Sequence, residues 1–359
     1  MDKSTGQTPD PRDVYIKNCF ILIFMNKIRI TDLEKYSDRI YVNLKANFLK
    51  ELMKKAANSE NPHKNKLFSS KLKLKNFHKG VNTTIVGWLK RSKLPLSKLL
   101  EIFYLTKTSL NELEKNVEYL QAGWSRGLKG HINFPIKIDN KMGSIIGHIL
   151  GDGSIERNYL QIFYTNQNKE LLGEFQNFMF ELFHIKPRIW LQEPGDFKIK
   201  KSKWIKRLNK ISEAPKNGQV GLFYPTICSL FFYSNFGVFA FGKKKKITEE
   251  IKKQNKKFKR GLLRAFYDDE SNVGARRLRL FQDNKKILSF FRKSLLIFKI
   301  KAGNIKTYTK RNKKRHYFDI HRKSNFRKFK EHIGFISSKK ARDLNRLCKI
   351  IMKYSYLCK

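Results

Sequence analysis

The chain of 359 residues is long enough for two or three domains, each with its own core. Its 77 Lys and Arg face 30 Asp and Glu, a net charge of +47 that solubility alone does not require and a polyanion partner, nucleic acid first, accounts for. With 29 Phe and 14 Tyr it can build a core, which excludes a disordered basic tail. A proteome biased toward lysine is the other source of such an excess. The four cysteines (Cys19, Cys228, Cys348, Cys358) form no CxxC pair, which argues against a zinc finger or disulfide framework and suits an intracellular protein.

The apolar run CFILIFM, Cys19 to Met25, is far shorter than the ~20 residues a membrane helix needs. It also lacks a small-residue cleavage site. Residues 1–24 are therefore expected to form a poorly ordered extension, and no membrane is expected as a partner. From Thr31 to about Ala57, Tyr36, Ile40, Leu44, Phe48 and Leu52 recur at helical spacing, with Thr31 or Asp32 as a cap, which predicts a helix. After NSENPHKN the sequence reads as a short helix, a glycine turn at Gly80, a helix from Asn82 to about Arg91, and a helix opened by Pro95 and Leu96. Asn82 can cap the middle helix, with Val81, Ile85, Val86 and Leu89 turned to a core. That is a helix-turn-helix layout, in which Thr83, Thr84, Lys90 and Arg91 would reach DNA. An ordinary three-helix bundle fits the same pattern. Residues 25–120 are thus predicted to be a small helical, helix-turn-helix-like domain. Residues 121–135, QAGWSRGLKGHINFP, read as a linker.

Beyond it, Asp139 can cap a helix running through IIGHILGDG, Ile145 to Gly153. Each interior glycine costs about 1 kcal/mol against alanine. Gly147 and Gly151, four residues apart, share one face, so something must approach that face closely. The chain then repeats itself. After Asp152 it reads GSIERNYLQIFYTNQNKELLGEFQNFMFELFHIKPRI, and much later LLRAFYDDESNVGARRLRLFQDNKKILSFFRKSLLIFKIKAGNI. Both have an apolar helix ending in an acid, a short alternating strand, then QNKELL or DNKKIL opening a second apolar helix. In this register Gly147 matches Ala265, Gly151 matches Asp269, Asp152 matches Glu270, and Gly153 matches Ser271. Two half-domains, residues 136–255 and 256–359, should pack about a pseudo-two-fold axis, with Gly147, Gly151 and Ala265 in the helix seam.

IIGHILGDG and LRAFYDDES resemble the two signature helices of the LAGLIDADG homing endonucleases, in their single-chain, double-motif form. The free-standing members with an N-terminal helix-turn-helix-like region are similar to the whole layout. The resemblance implies an α+β fold: two αββαββα half-domains forming a saddle, preceded by the small helical domain. It implies a metal-dependent endonuclease cutting both strands of a long, asymmetric double-stranded DNA site, acting as a monomer. Asp152 and Glu270 would be the catalytic acids, one for each strand. With the main-chain carbonyls of Gly151 and Asp269 they would hold Mg2+ or Mn2+, hard ions that suit carboxylate, water and phosphate oxygens. Taken alone, Asp152 also reads as a helix C-terminal residue beside a glycine turn. The same placement against the helix dipole in both repeats favours the catalytic reading. Asp268 is expected to be a solvated or structural carboxylate.

Alternation in RRLRLFQ sends Leu278 and Leu280 to the core and Arg277, Arg279 and Phe281 to the other face, with Gln282 ending the strand. By the resemblance that face lies along DNA, where arginine reads guanine edges. The first repeat offers Gln161, Phe163, Thr165 and Gln167 there, a less charged surface, so the half-sites should differ. Lys198 and Lys200 in DFKIKKSKW, and Arg315 in KRNKKRHYFDIH, are candidates for phosphates. Where the family often places a lysine at the end of the first strand, this chain has Asn166-Gln167 and Gln282-Asp283. Ser271 replaces the usual glycine. Two other functions share the fold: a non-cleaving sequence-specific DNA-binding regulator, and a maturase whose partner is intron RNA.

Overall fold

The computed structural model describes residues 27–57, 83–123, 129–156, 160–192, 204–241, 244–310 and 313–354. In the N-terminal region, β1 (Lys27–Ile28) leads to a 3-10 helix (Ile30–Arg39), β2 (Ile40–Leu44) and α1 (Ala46–Ala57). Next come α2 (Thr83–Arg91), β3 (Lys93–Pro95), α3 (Leu96–Thr106), α4 (Leu110–Lys115) and β4 (Val117–Ala122). The helix expected from Thr31 to Ala57 is therefore three elements. Ile40, Val42 and Leu44 are buried on the central strand of a β3-β2-β4 sheet. The β-branched Ile40 and Val42 favour extended backbone there. A strand followed by a helix buries Ile40, Leu44, Phe48 and Leu52 as completely as one long helix would. The region is mixed, not all-helical. On α2, Ile85 and Trp88 are buried while Val86 is 42% exposed, so the inward face differs from the expected one. Val81 and Asn82 lie outside the described residues.

The expected linker is partly built into the fold. Leu120 and Gly130 exchange backbone hydrogen bonds of 2.8 Å, His131 N donates to Phe183 O at 2.9 Å, and Ile132 is buried. Ile136–Lys137 (β5) pairs antiparallel with β1. The chain continues through α5 (Asn140–Leu150), β6 (Gly153–Ile155), β7 (Ile162–Asn166), α6 (Lys169–Phe183), β8 (Arg188–Gln192) and β9 (Trp204–Leu208). It goes on to β10 (Gln219–Tyr224), α7 (Thr226–Phe236), β11 (Ala240–Phe241), β12 (Lys244–Lys245) and α8 (Glu249–Lys253). The second repeat has α9 (Lys256–Glu270), β13 (Ser271–Val273), β14 (Leu278–Gln282), α10 (Lys285–Leu295), β15 (Lys306–Lys310), β16 (Lys313–Ile320), α11 (Lys323–His332) and α12 (Ser338–Tyr354).

The two sheets run β12-β11-β6-β7-β10-β8-β9 and β13-β14-β16-β15. Their common part is β6-β7-β10-β8 against β13-β14-β16-β15, and β9 is an extra edge strand of the first. The repeated QNKELL and DNKKIL work as caps. Asn168 Oδ1 accepts from Glu170 N (2.9 Å) to start α6, and Asn284 Oδ1 from Lys286 N (3.0 Å) to start α10. Asp139 caps α5 by accepting from Lys141 N and Met142 N at 2.9 and 3.2 Å. Among the described residues one apolar core runs from Ile28 to Leu347. The α5–α9 pair lies inside it, with α5 buried from Met142 to Leu150.

Candidate functional site

The helices α5 and α9 pack side by side because small residues remove every Cβ that would hold them apart. A Cβ on Gly147 would sit 2.7 Å from Leu262 O and 2.9 Å from the Ala265 Cβ; one on Gly151 would sit 2.5 Å from Asp269 Oδ2. Gly147, Gly151 and Ala265 therefore meet in one seam. Two further residues belong to it. A Cβ on Gly143 would overlap the Phe258 carbonyl oxygen, and one on Gly261 the Asn140 carbonyl oxygen. The signal was in the sequence: glycines recur at 143, 147 and 151, and Gly261 stands to Gly143 as Ala265 stands to Gly147.

The seam delivers three carboxylates to one end. Asp152 follows the end of α5 and Glu270 is the last residue of α9. Burial, then the Asp269 charge, pushes Asp152 up to about 7. Burial, then Asp152 and Asp269, pushes Glu270 up to about 8 against the relief given by Lys245. Asp269, expected to offer only its carbonyl, turns a fully buried side chain into the first repeat. Its Oδ1 accepts from Tyr164 Oη at 2.8 Å and Asn166 Nδ2 at 3.3 Å; its Oδ2 lies 3.0 Å from His148 Nδ1 and 3.5 Å from Asp152 N. Burial raises Asp269 to about 7. Burial holds His148 down at about 4, so the ring is neutral and Nδ1–H donates. Asn166 Nδ2 also donates to Asp152 Oδ2, at 3.0 Å. Asp268 instead leaves the seam, accepting from Ile336 N (2.7 Å) and Ser337 N (3.1 Å).

Two lysines that sequence reasoning missed complete this end. Lys245 Nζ donates to the Gly151 carbonyl. Lys340 Nζ donates to the carbonyls of Asp268 (2.5 Å), Ser271 (2.7 Å) and Tyr267 (3.2 Å). Each ammonium group thus satisfies carbonyls left open where a helix ends. Burial lowers both lysines, and the surrounding acids oppose that shift. No pattern marks them in the sequence: Lys245 sits in the run KKKK, which reads as solvated charge.

Among the described residues no three His, Cys, Asp or Glu side chains are grouped as a metal cage. The donor chemistry of Asp152 and Glu270 nevertheless suits a hard divalent ion. Buried carboxylates that raise one another are relieved by a cation between them. The Gly151 carbonyl, expected to be a ligand, is engaged by Lys245.

Residues 257–334 match the model of the LAGLIDADG-like domain family. That stretch, from α9 to α11 in the second repeat, is a LAGLIDADG-like domain. A curated relative, the DNA-directed RNA polymerase subunit Rpo1C of Methanocaldococcus jannaschii, is 27% identical over 219 residues. That match covers 59% of this chain and spans only 21% of the relative's length. Among solved structures, mesophilic variants of the homing endonuclease I-DmoI align with 15% identity and a TM-score of 0.40, over 58% of this chain and 98% of theirs. I-DmoI in complex with DNA and Mn gives 14% and 0.38, over 56% and 99%. The N-terminal LAGLIDADG domain of WhiA gives 13% and 0.35, over 59% and 88%.

The sheets of the two repeats carry the remaining candidates. On β7, Ile162 and Tyr164 are buried while Phe163 and Thr165 are half-buried on the other face. Phe163 stacks on Phe223 (5.9 Å), Thr165 Oγ1 donates to the Asp152 carbonyl (3.1 Å), Gln161 Oε1 accepts from Arg188 Nη2 (2.7 Å), and Gln167 is exposed. Arg277, just before β14, and Arg279, on it, part company. Arg277 is exposed, but Arg279 makes a two-pronged pair with Asp319, 2.7 and 2.8 Å, and lies 3.9 Å over the Tyr317 ring. Its donor fork is thus already engaged. Phe281 stands 6.2 Å from Tyr317. Gln282 Oε1 folds back to accept from Asp283 N (2.8 Å), and Arg315 Nε lies 3.5 Å from Asp283. Lys90 and Arg91 are exposed at the end of α2. The side chains of Thr83 and Thr84, and all of Lys198 and Lys200, lie outside the described residues.

Proposed function

We propose that this protein is a site-specific endonuclease that hydrolyses both strands of a long, asymmetric double-stranded DNA site, as a monomer, with Mg2+ or Mn2+. The observation that carries this reading is the meeting of Asp152 and Glu270 at one end of the α5–α9 seam, where burial and then the Asp152 charge raise Glu270, and burial and then the Asp269 charge raise Asp152. A protein that only binds DNA gains nothing from burying carboxylates beside phosphates, since burying a charge is costly. A bound divalent ion would polarise the scissile phosphate and make an attacking water more acidic. This chain's own residues do the rest. Asp152 and Glu270 hold the ion, and Asn166 fixes the Asp152 carboxylate. Lys245 and Lys340 pin the two helix ends that carry the acids. Arg277, in the turn before β14, and Arg315, on β16, are suited to the DNA half-site of the second repeat.

The test is cleavage of a randomised double-stranded target library in Mg2+. Asp152→Asn and Glu270→Gln should each abolish double-strand cutting while leaving binding in place, because groove contacts come from other residues. Either variant cutting both strands at the wild-type rate would overturn the assignment. A non-cleaving DNA-binding regulator is the second reading, favoured by the Lys245 ammonium on the Gly151 carbonyl. A wild-type protein that selects a site from the library and never cuts it would establish that alternative.

A further inference from the structure

The polar contacts at the acid end of the seam are one-sided. Asp269 is the acceptor, and among the described residues every donor to it comes from the first repeat: Tyr164, Asn166 and the Asp152 amide from the strand and turn, His148 from α5. The reverse arrangement does not exist. The residue matching Asp269 is Gly151, which has no side chain, and the residues matching His148 and Tyr164 are the apolar Phe266 and Leu280. The residue matching Asn166 is Gln282, whose Oε1 is folded onto its own backbone. Space for the contact exists only because Gly151 is glycine: a Cβ there would lie 2.7 Å from the Asp269 Cβ.

Through these bonds Asp269 reaches one acid. The Asp152 amide points to Asp269 Oδ2 at 3.5 Å, and the Asn166 amide bridges Asp269 Oδ1 (3.3 Å) and Asp152 Oδ2 (3.0 Å). Both the backbone and the carboxylate of Asp152 are therefore tied to one buried side chain of the opposite repeat. We propose that Asp269 is a positioning residue, a one-way clasp by which the second repeat orients Asp152. Its removal turns a double-strand cutter into an enzyme that nicks one strand. The proposal rests on the nuclease reading for its outcome, and on the hydrogen bonds alone for its structure.

Two measurements on the full chain test it. In the first, Asp269→Asn cuts a target labelled on each strand, in Mg2+. One strand should slow by about 10-fold to 100-fold, the scale on which small misplacements of a reacting group act. The other strand should change little, so that nicked DNA accumulates at unchanged binding affinity. Equal slowing of both strands, or slowing of neither, overturns the proposal, because a merely structural residue would not choose a strand. The second measurement needs no activity. In urea unfolding, Asp269→Asn combined with Asn166→Ala should be no less stable than the worse single variant, since the two share one network. Additive losses overturn the clasp. A wild-type protein that cuts neither strand would refute the nuclease reading, and the urea cycle would still decide the clasp.

Discussion

Arg277 and Arg279 look equivalent in RRLRLFQ, two outward residues of one alternating strand. Alternation gives the face but not the partner, and the partner of Arg279 is forty residues away on β16, where Asp319 lies directly opposite. Arg279→Ala leaves that carboxylate, 8% exposed, without its main donor, and should cost about 1–3 kcal/mol of stability in urea unfolding. Arg277→Ala should leave stability unchanged and instead weaken DNA binding by about 1–3 kcal/mol if it pairs with a base edge. An Arg279→Ala protein of wild-type stability would mean the pair is idle. The acids behave differently, since the repeat made Asp152 and Glu270 legible while the side-chain role of Asp269 needed three dimensions. Their titration gives a signed expectation. Asp152, Asp269 and Glu270 stand at about 7, 7 and 8, above the 3.8 and 4.5 of free Asp and Glu. A carboxyl raised in the folded state contributes fully below its unfolded value, and that contribution is lost as pH rises through the folded one. His148, lowered from 6.5 to about 4, acts with the opposite sign, but only between those values. From pH 6.5 to 8 the metal-free protein should therefore lose thermal stability, and Mg2+ should restore more at pH 8 than at 6.5. A Tm that rises across this window without metal would contradict the assigned cluster.

At the scale of elements, the parts written in short-range chemistry were legible and the parts set by long-range pairing were not. Asn168 and Asn284 cap helices because their side chains reach amides two residues on, a relation visible in QNKELL and DNKKIL. The break at Ile40 was hidden because β2 exists only through its partners β3 and β4, which lie far along the chain. The seam offers a sharp contrast between identical substitutions. Gly143→Ala puts a methyl group into the Phe258 carbonyl and must push α9 away, so it should lower stability by about 1–3 kcal/mol or more. Gly173→Ala, inside α6 with nothing within 4 Å, should raise stability by up to about 1 kcal/mol, the helix propensity difference. Thermal unfolding of the two variants reads both signs. Equal effects would mean that the helices do not approach as closely as the seam requires.

For the whole molecule, the charge of +47 predicts that the proposed DNA binding falls steeply with salt, because each neutralised phosphate releases counterions. The N-terminal region is where composition misleads. A stretch rich in glycine and basic residues, residues 121–135, read as a linker, yet Ile28, Ile30 and Leu33 are buried in the same core as the seam, β1 pairs with β5, and His131 bonds to the end of α6. Removing residues 1–131 would therefore uncover apolar surface of the first repeat, at about 25 cal/mol for each Å² returned to water. We expect the truncated chain to have a lower Tm and a tendency to associate. The position of any cut should not move, because Asp152 and Glu270 are placed by the seam and not by the N-terminal elements. Mapping cleavage sites of the full and truncated chains at a temperature where both are folded separates these effects. A truncated chain of unchanged Tm would show the N-terminal region to be an independent module. A shifted cut would mean that it helps to place the acids.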